Sequence, residues 1–370
     1  ICFLSIWANA QDFHALVYFT DKPNTVASLP NLQTILTQRA IDRKARHNIP
    51  IDDRDMPINQ SYVAQIKSQS GISYKAQSKW FNCVHVVGGT TDIDALANLS
   101  FVSSIDYTDP TKNASRSHQD KFTSIVTKPL VYGTARNQIE MIGLHDLHNT
   151  GNAGLGMLIA VTDSGFPNVD VNSGFAQLRA NNGIAGGWDF VDRDATIYED
   201  HYHGARVLSV MAGNDPGNFE GTAPDAQYYL FRTEEASRET PAEMSYWVQA
   251  AERADSLGVD VINVSLGYLG FDNPAENLDY QDMNGITAFI SQGTNVAFEK
   301  GIIVVTSAGN SGNTTVHPYN AAPADAFGAF SIGSVTATEV QSSFSSIGPT
   351  VDGRIRPDIA AQGSATASIN

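Results

Sequence analysis

Between Met157 and Ala337, apolar runs recur with helical stretches between them, and this alternation constrains the fold more than any other feature of the 370 residues. The runs are MLIAVT (157 to 162), GGWDFV, QYYLFRT, VDVINVSLG, GIIVVTSAGN and FSIGSVTA. Helical patterns fall at His203 to Met211, Pro241 to Leu257 and Ile286 to Lys300. Near-continuous apolar strands separated by helices predict an α/β fold, a doubly wound, mainly parallel sheet covered on both faces. In such sheets chemistry sits at the carboxyl ends of the strands. The residues that follow each run are therefore the candidates for function.

The chain ahead of this region has a different texture. Phe13 to Phe19 (FHALVYF) has the character of a strand, and Leu32 to Arg46 has helical spacing. Tyr62 to Lys67 fits a short helix, Ile72 to Ala76 and Phe81 to Val87 fit strands, Ile93 to Leu99 a helix, and Val102 to Tyr107 a strand. Residues 11 to 107 thus read as a small α+β domain. Residues 108 to 136 are polar and basic and read as a linker, which leaves 137 to 370 as the larger domain. Residues 1 to 10, ICFLSIWANA, are apolar and end in A-x-A before Gln11, the pattern of a signal-peptide remnant and of an exported protein. No run approaches the roughly 20 apolar residues that span a bilayer.

Export permits disulfides, but Cys2 and Cys83 are the only cysteines, and Cys2 lies inside the segment that reads as a signal-peptide remnant. Stability must then come from a large core or from bound ions. With 28 carboxylates in residues 137 to 370, structural calcium is the ion expected, at a site the sequence does not locate. Residues 11 to 136 hold 14 Lys and Arg against 11 Asp and Glu, whereas residues 137 to 370 hold 9 against 28. The two halves are electrostatically complementary, and the acidity of the second disfavours a nucleic-acid partner.

Three strand ends and one helix start carry candidate chemistry. The first run ends in Asp163-Ser164-Gly165, where an acid can orient a histidine, although Asp-Ser-Gly is also common turn chemistry. His203 opens the helical stretch HGARVLSVMAG and can serve as a general base. His201 stands two residues earlier, and spacing alone leaves the choice between them open. Asn310 ends GIIVVTSAGN, where its amide can donate to a developing oxyanion or simply tolerate a left-handed turn. The end of VINVSLG, at Ser265, Leu266 and Gly267, is small and polar enough for its backbone to pair with an extended peptide. Glu199, Asp200, His201 and His203 also cluster, but their spacing is not H-E-x-x-H and no further metal ligand can be named.

Taken in order, VTDSG, HGARVLSVMAG, INVSLG, VVTSAGN and FSSIGPTVDGRIRPDIAAQG resemble the successive signature blocks of subtilisin-like serine proteases, the subtilases, over roughly residues 137 to 370. The resemblance implies Asp163 as triad acid, His203 as triad base, Asn310 as oxyanion donor, and Ser265, Leu266 and Gly267 as a strand edge that binds substrate backbone. It selects His203 over His201, because the family's catalytic histidine is followed directly by glycine. It implies a secreted endopeptidase acting on polypeptides, with no cofactor needed for the chemistry. It also implies that residues 11 to 107 are a propeptide that docks on the catalytic domain within the same chain.

The family's nucleophile motif, G-T-S-x-A-x-P, is expected about twenty residues after a block like RPDIAAQG, and thus after Asn370. In Gly363-Ser364-Ala365-Thr366-Ala367 the serine comes one position early and no proline follows, so Ser364 and Ser368 read as loop residues. The nucleophile is expected outside this chain, which on that reading ends before it and is inactive alone. Gln362 stands where the family usually has proline, which predicts a less rigid turn. A peptide-binding protein that keeps this fold without the nucleophile is the competing reading.

Overall fold

The computed structural model describes residues 12 to 369 except 24, 25, 27, 28 and 110 to 131. The signal-peptide reading and most of the linker reading fall outside the described residues.

In the N-terminal part, β1 (Phe13–Phe19), β2 (Ile72–Ser78), β3 (Cys83–Gly88) and β4 (Val102–Tyr107) form an antiparallel sheet in the order β2-β3-β1-β4. The alternation of β1 serves both faces of this sheet. Ala15, Val17 and Phe19 point to a core with Val84, Val86 and the apolar residues of α2 (Gln60–Lys67) and α3 (Thr90–Ala95). Leu16, with Ala76, Trp80 and Cys83, belongs instead to the largest core of the molecule. The expected helix from Leu32 to Arg46 is divided into a 3-10 turn at Leu32–Thr34 and α1 (Gln38–Arg46). The break comes at Thr37, whose side chain accepts from the Ala40 N–H and starts a new helix.

After α4 (Arg136–Met141) and α5 (Leu144–Asn149), to which sequence periodicity assigns no element, the chain builds the predicted sheet. Its strands are β5 (Leu158–Asp163), β6 (Ile184–Asp189), β9 (Gln227–Arg232), β10 (Val261–Val264), β11 (Ile303–Ser307), β12 (Ala329–Val335) and β13 (Ile359–Gln362); β7 (Asn214–Asp215) and β8 (Phe219–Glu220) form a separate short hairpin. The seven are all parallel, in the order β13-β12-β11-β10-β5-β9-β6. Strands added after β5 go to both of its sides, so the strand order reverses at β5. That reversal opens a crevice at its carboxyl end.

One face of the sheet is covered by α6 (Ala176–Ala180) and α7 (His203–Ala212), which pack on Ile159, Val161, Tyr228 and Leu230. The other is covered by α8 (Ala242–Leu257) and α9 (Phe289–Glu299). Helix α8 is buried nearly all round because it is sandwiched, with the large sheet on one side and the N-terminal sheet on the other. The N-terminal part therefore docks through a shared apolar core, not through net charge alone.

On the α7 side, β11 to β13 leave apolar side chains exposed among the described residues. Ile303, Phe330 and Ile359 share that face, by the registers Val305↔Phe330 and Ile332↔Ile359, and all three are exposed.

Candidate active site

Asp163 is the last residue of β5 and is fully buried. His203 is the first residue of α7, and its Nδ1 lies 2.8 and 3.0 Å from the two carboxylate oxygens of Asp163. With Nδ1–H donating to a carboxylate, the imidazole is held in the tautomer whose Nε2 carries the lone pair. The carboxylate is itself oriented, since Asp163 Oδ1 accepts from the Ser164 N–H at 2.7 Å and from Ser164 Oγ at 3.1 Å. A buried acid fixing a partly exposed imidazole can stabilise an imidazolium and move a proton at Nε2.

His201 meets Ser164 Oγ at 3.4 Å, and its Nδ1 accepts from the His203 backbone N–H at 3.3 Å. It thus helps to seat the first turn of α7, where the Tyr202 side chain supplies no cap. Neither the seating role of His201 nor the carboxylate-orienting role of Ser164 follows from one-dimensional spacing. The adjacency of Ser164 to Asp163 was the available signal.

Ladder registers align the other candidates along the same sheet edge. Thr162 is opposite Val264, and Val264 is opposite Thr306, so the chain leaves β5, β10 and β11 at one level. Ser265, Leu266 and Gly267 follow β10 immediately. They are not part of the strand, which stops at Val264 and not at Gly267 as expected. The chain turns off there because Tyr268 pairs with Ala322, exchanging backbone hydrogen bonds of 2.8 and 3.2 Å, and its hydroxyl bonds the buried Glu234. Asn310 lies in the exposed bend after β11, two strands from Asp163. That bend is pinned by Ser346, whose N–H donates to Gly309 O at 3.0 Å and whose Oγ accepts from the Ser311 N–H at 3.0 Å.

Ser364 lies in the turn after β13, its Oγ 2.7 Å from Ser342 Oγ. The Gln362 amide accepts from Asn137 Nδ2 at 2.6 Å and donates toward Ser364 O and Ala365 O at 3.4 Å. Hydrogen bonds thus steady the turn where proline is usual.

Asp189, Asp192 and Asp200 bring carboxylate oxygens within reach of one cation. The cation they surround is the Arg232 guanidinium, at 2.7, 2.6 and 3.3 Å, and this trio does not fit a calcium ion. Cys83 is buried and unpaired with another cysteine, and burial pushes its thiol well above the usual range. Among the described residues no helix is long and apolar enough to cross a membrane.

Residues 154 to 370 match the family described as "Subtilase family", and residues 14 to 123 match "Peptidase S8 propeptide domain, Bacteroidota". Thermitase of Thermoactinomyces vulgaris is 32% identical over 204 residues, 54% of this chain and 62% of that protein. Subtilisin NAT of Bacillus subtilis subsp. natto is 26% identical over 296 residues, 79% of this chain and 67% of that protein. Subtilisin Savinase of Lederbergia lenta is 29% identical over 229 residues, 60% of this chain and 73% of that protein. The chain spans about two thirds of the length of these relatives.

Proposed function

The chain belongs to the subtilase family, and from that membership we propose that the full-length protein is a secreted serine endopeptidase made with an N-terminal propeptide. The observation that carries the reading is the buried Asp163 holding His203 Nδ1 at 2.8 Å, at the point where the strand order reverses. His203 takes the proton of a serine hydroxyl as it attacks a peptide carbonyl and returns it to the leaving amine. Asp163 stabilises the imidazolium that forms between these steps. Asn310 donates to the oxyanion, and the backbone of Ser265, Leu266 and Gly267 pairs with the extended substrate.

The nucleophilic serine is assigned to a segment outside these 370 residues. Two observations support that assignment: Ser364 is engaged with Ser342, and Ile303, Phe330 and Ile359 are exposed among the described residues. These residues alone are expected not to hydrolyse peptides. A structural calcium ion is retained in the proposal without an assigned site, and a fall in thermal stability on chelation is its test.

The decisive experiment expresses the complete reading frame and measures peptide hydrolysis and labelling by a fluorophosphonate, with His203→Ala as control. Both signals present in the parent and lost in the variant support the protease. A complete frame without a labelled serine favours the peptide-binding reading instead.

A further inference from the structure

Helix α1 (QRAIDRKAR) has no apolar face, and its buried residues are Ala40, Arg43 and Lys44. A surface helix is normally held by an apolar stripe, and nine residues are too few for a helix to persist alone in water. Charge holds this one. Arg43 and Lys44, each 1% exposed, both reach the fully buried Asp255 in the last turn of α8, Lys44 at 2.9 Å. Arg43 also donates to the Val259 carbonyl, and Arg39 donates to Gly258 O at 3.0 Å and pairs with Asp260. The C-terminal end of α8, with its exposed carbonyls and negative dipole end, favours such cations.

The far end of the segment is tied as well. Lys44 and the fully buried Lys300 of the catalytic domain share Asp55, at 3.1 and 2.9 Å. The seat is shaped to fit, because Gly258 has φ +82° and a β-carbon there would lie 2.6 Å from the Ala40 nitrogen.

We propose that Thr37 to Asp55 is a clamp that folds only on the catalytic domain, recognises the Asp255 socket by charge, and governs how long the N-terminal domain stays bound after the two are severed. The inference rests on the propeptide reading above for its regulatory meaning, but not for its structure. The clamp is separate from the apolar contact of β1 to β3 on α8. Its partner is the α8 C-terminal turn of its own chain, and a relative lacking an acid at that position is not held. Removing one member leaves a buried charge uncompensated, which weakens docking roughly 10²- to 10³-fold.

The test uses the whole chain, with a protease site added between residues 110 and 131. In the parent, amide hydrogen exchange over residues 38 to 46 is slow. In Arg43→Met/Lys44→Met it rises at least 100-fold while β1, β3 and α9 stay protected, and after cutting, the N-terminal domain leaves at least 100-fold faster. Asp255→Asn gives the same result from the other side of the interface, and the arm-side variant serves if Asp255→Asn does not fold. Unchanged exchange over 38 to 46 together with unchanged departure overturns the clamp. Loss of protection throughout the N-terminal sheet overturns it too, since α1 would then be part of one cooperative unit. Neither readout requires peptide hydrolysis, so failure of the protease reading would be seen separately in the labelling experiment.

Discussion

A β-carbon placed on Gly204 would lie 2.8 Å from the β-carbon of Asp163 and 2.4 Å from the Gly165 carbonyl oxygen. Such contacts are shorter than atoms tolerate, so only glycine lets the start of α7 come close enough for His203 to reach the acid. In the full-length protein, Gly204→Ala is expected to cost about 1 to 3 kcal/mol of stability. It should also lower kcat by roughly 10²-fold, the effect of displacing a catalytic group by about 1 Å. Thermal unfolding and steady-state hydrolysis check the two effects. An alanine variant with parental kcat would show that the close approach is dispensable.

Asp163→Asn keeps the shape of the side chain and removes its charge. The expected outcome is a fall in kcat of about 10⁴-fold with KM little changed, by analogy with the handicap of the wrong imidazole tautomer. Near-unchanged thermal stability would confirm that the loss is chemical.

Glu252 in α8 is 6% exposed and accepts from Ser78 Oγ at 2.5 Å, Trp80 N–H at 2.9 Å and Lys79 N–H at 3.0 Å. Glu252→Ala would strand two backbone donors between the sheets, at a cost of roughly 2 to 5 kcal/mol. Denaturant unfolding of the chain should lose that much. A loss under about 0.5 kcal/mol would mean that the turn at Ser78 relaxes or that water replaces the carboxylate.

Acid should loosen the N-terminal domain. His14 Nδ1 lies 2.9 Å from His85 Nε2, and His85 Nδ1 lies 2.7 Å from Ser245 Oγ on α8. Burial lowers His14 to about 4, with the positive charges of Lys75 and Arg238 adding to the effect, and burial pushes His85 well below its usual value. Both are neutral when folded and take protons more readily when unfolded. Their contribution is therefore fully present above about pH 6.5 and is lost as pH falls from there toward 4. His85→Gln should flatten that part of the stability curve, which urea midpoints at successive pH values would reveal.

The exposure of Ile303, Phe330 and Ile359 on β11 to β13 predicts binding of a fluorescent dye that reports exposed apolar surface, and a tendency to associate. Phe330→Ser/Ile359→Ser should reduce both without lowering the unfolding midpoint by more than about 1 kcal/mol, because these side chains are already partly solvated. An unchanged dye signal would place the apolar surface elsewhere.

Strand and helix order was legible wherever burial imposes a period. FHALVYF and VSSIDY form strands at the expected limits, and HGARVLSVMA forms a helix from His203. The misreadings have local causes. VINVSLG looks like one strand because every residue from Val261 to Gly267 tolerates extended backbone. It ends at Val264 because Tyr268 finds its partners in Ala322 and Glu234, far away in sequence. Helix α1 was hidden inside a longer pattern because its buried positions are cations, which periodicity analysis counts as surface.

The sequence by itself determined the alternating α/β architecture, because strand runs, glycines and small residues are local constraints written in the order of the chain. Asp163, His203 and Asn310 were singled out from among its strand-end and helix-start residues only by the resemblance to the subtilase blocks. Tertiary structure alone decided that Asp163 meets His203 across a sequence separation of 40, that Ser164 and His201 support the pair, and that Arg43 and Lys44 share Asp255. The physical reason is that the energy of a buried charge or a directed hydrogen bond depends on distance and on exclusion of water. Neither exists until sheet and helices have closed around the group.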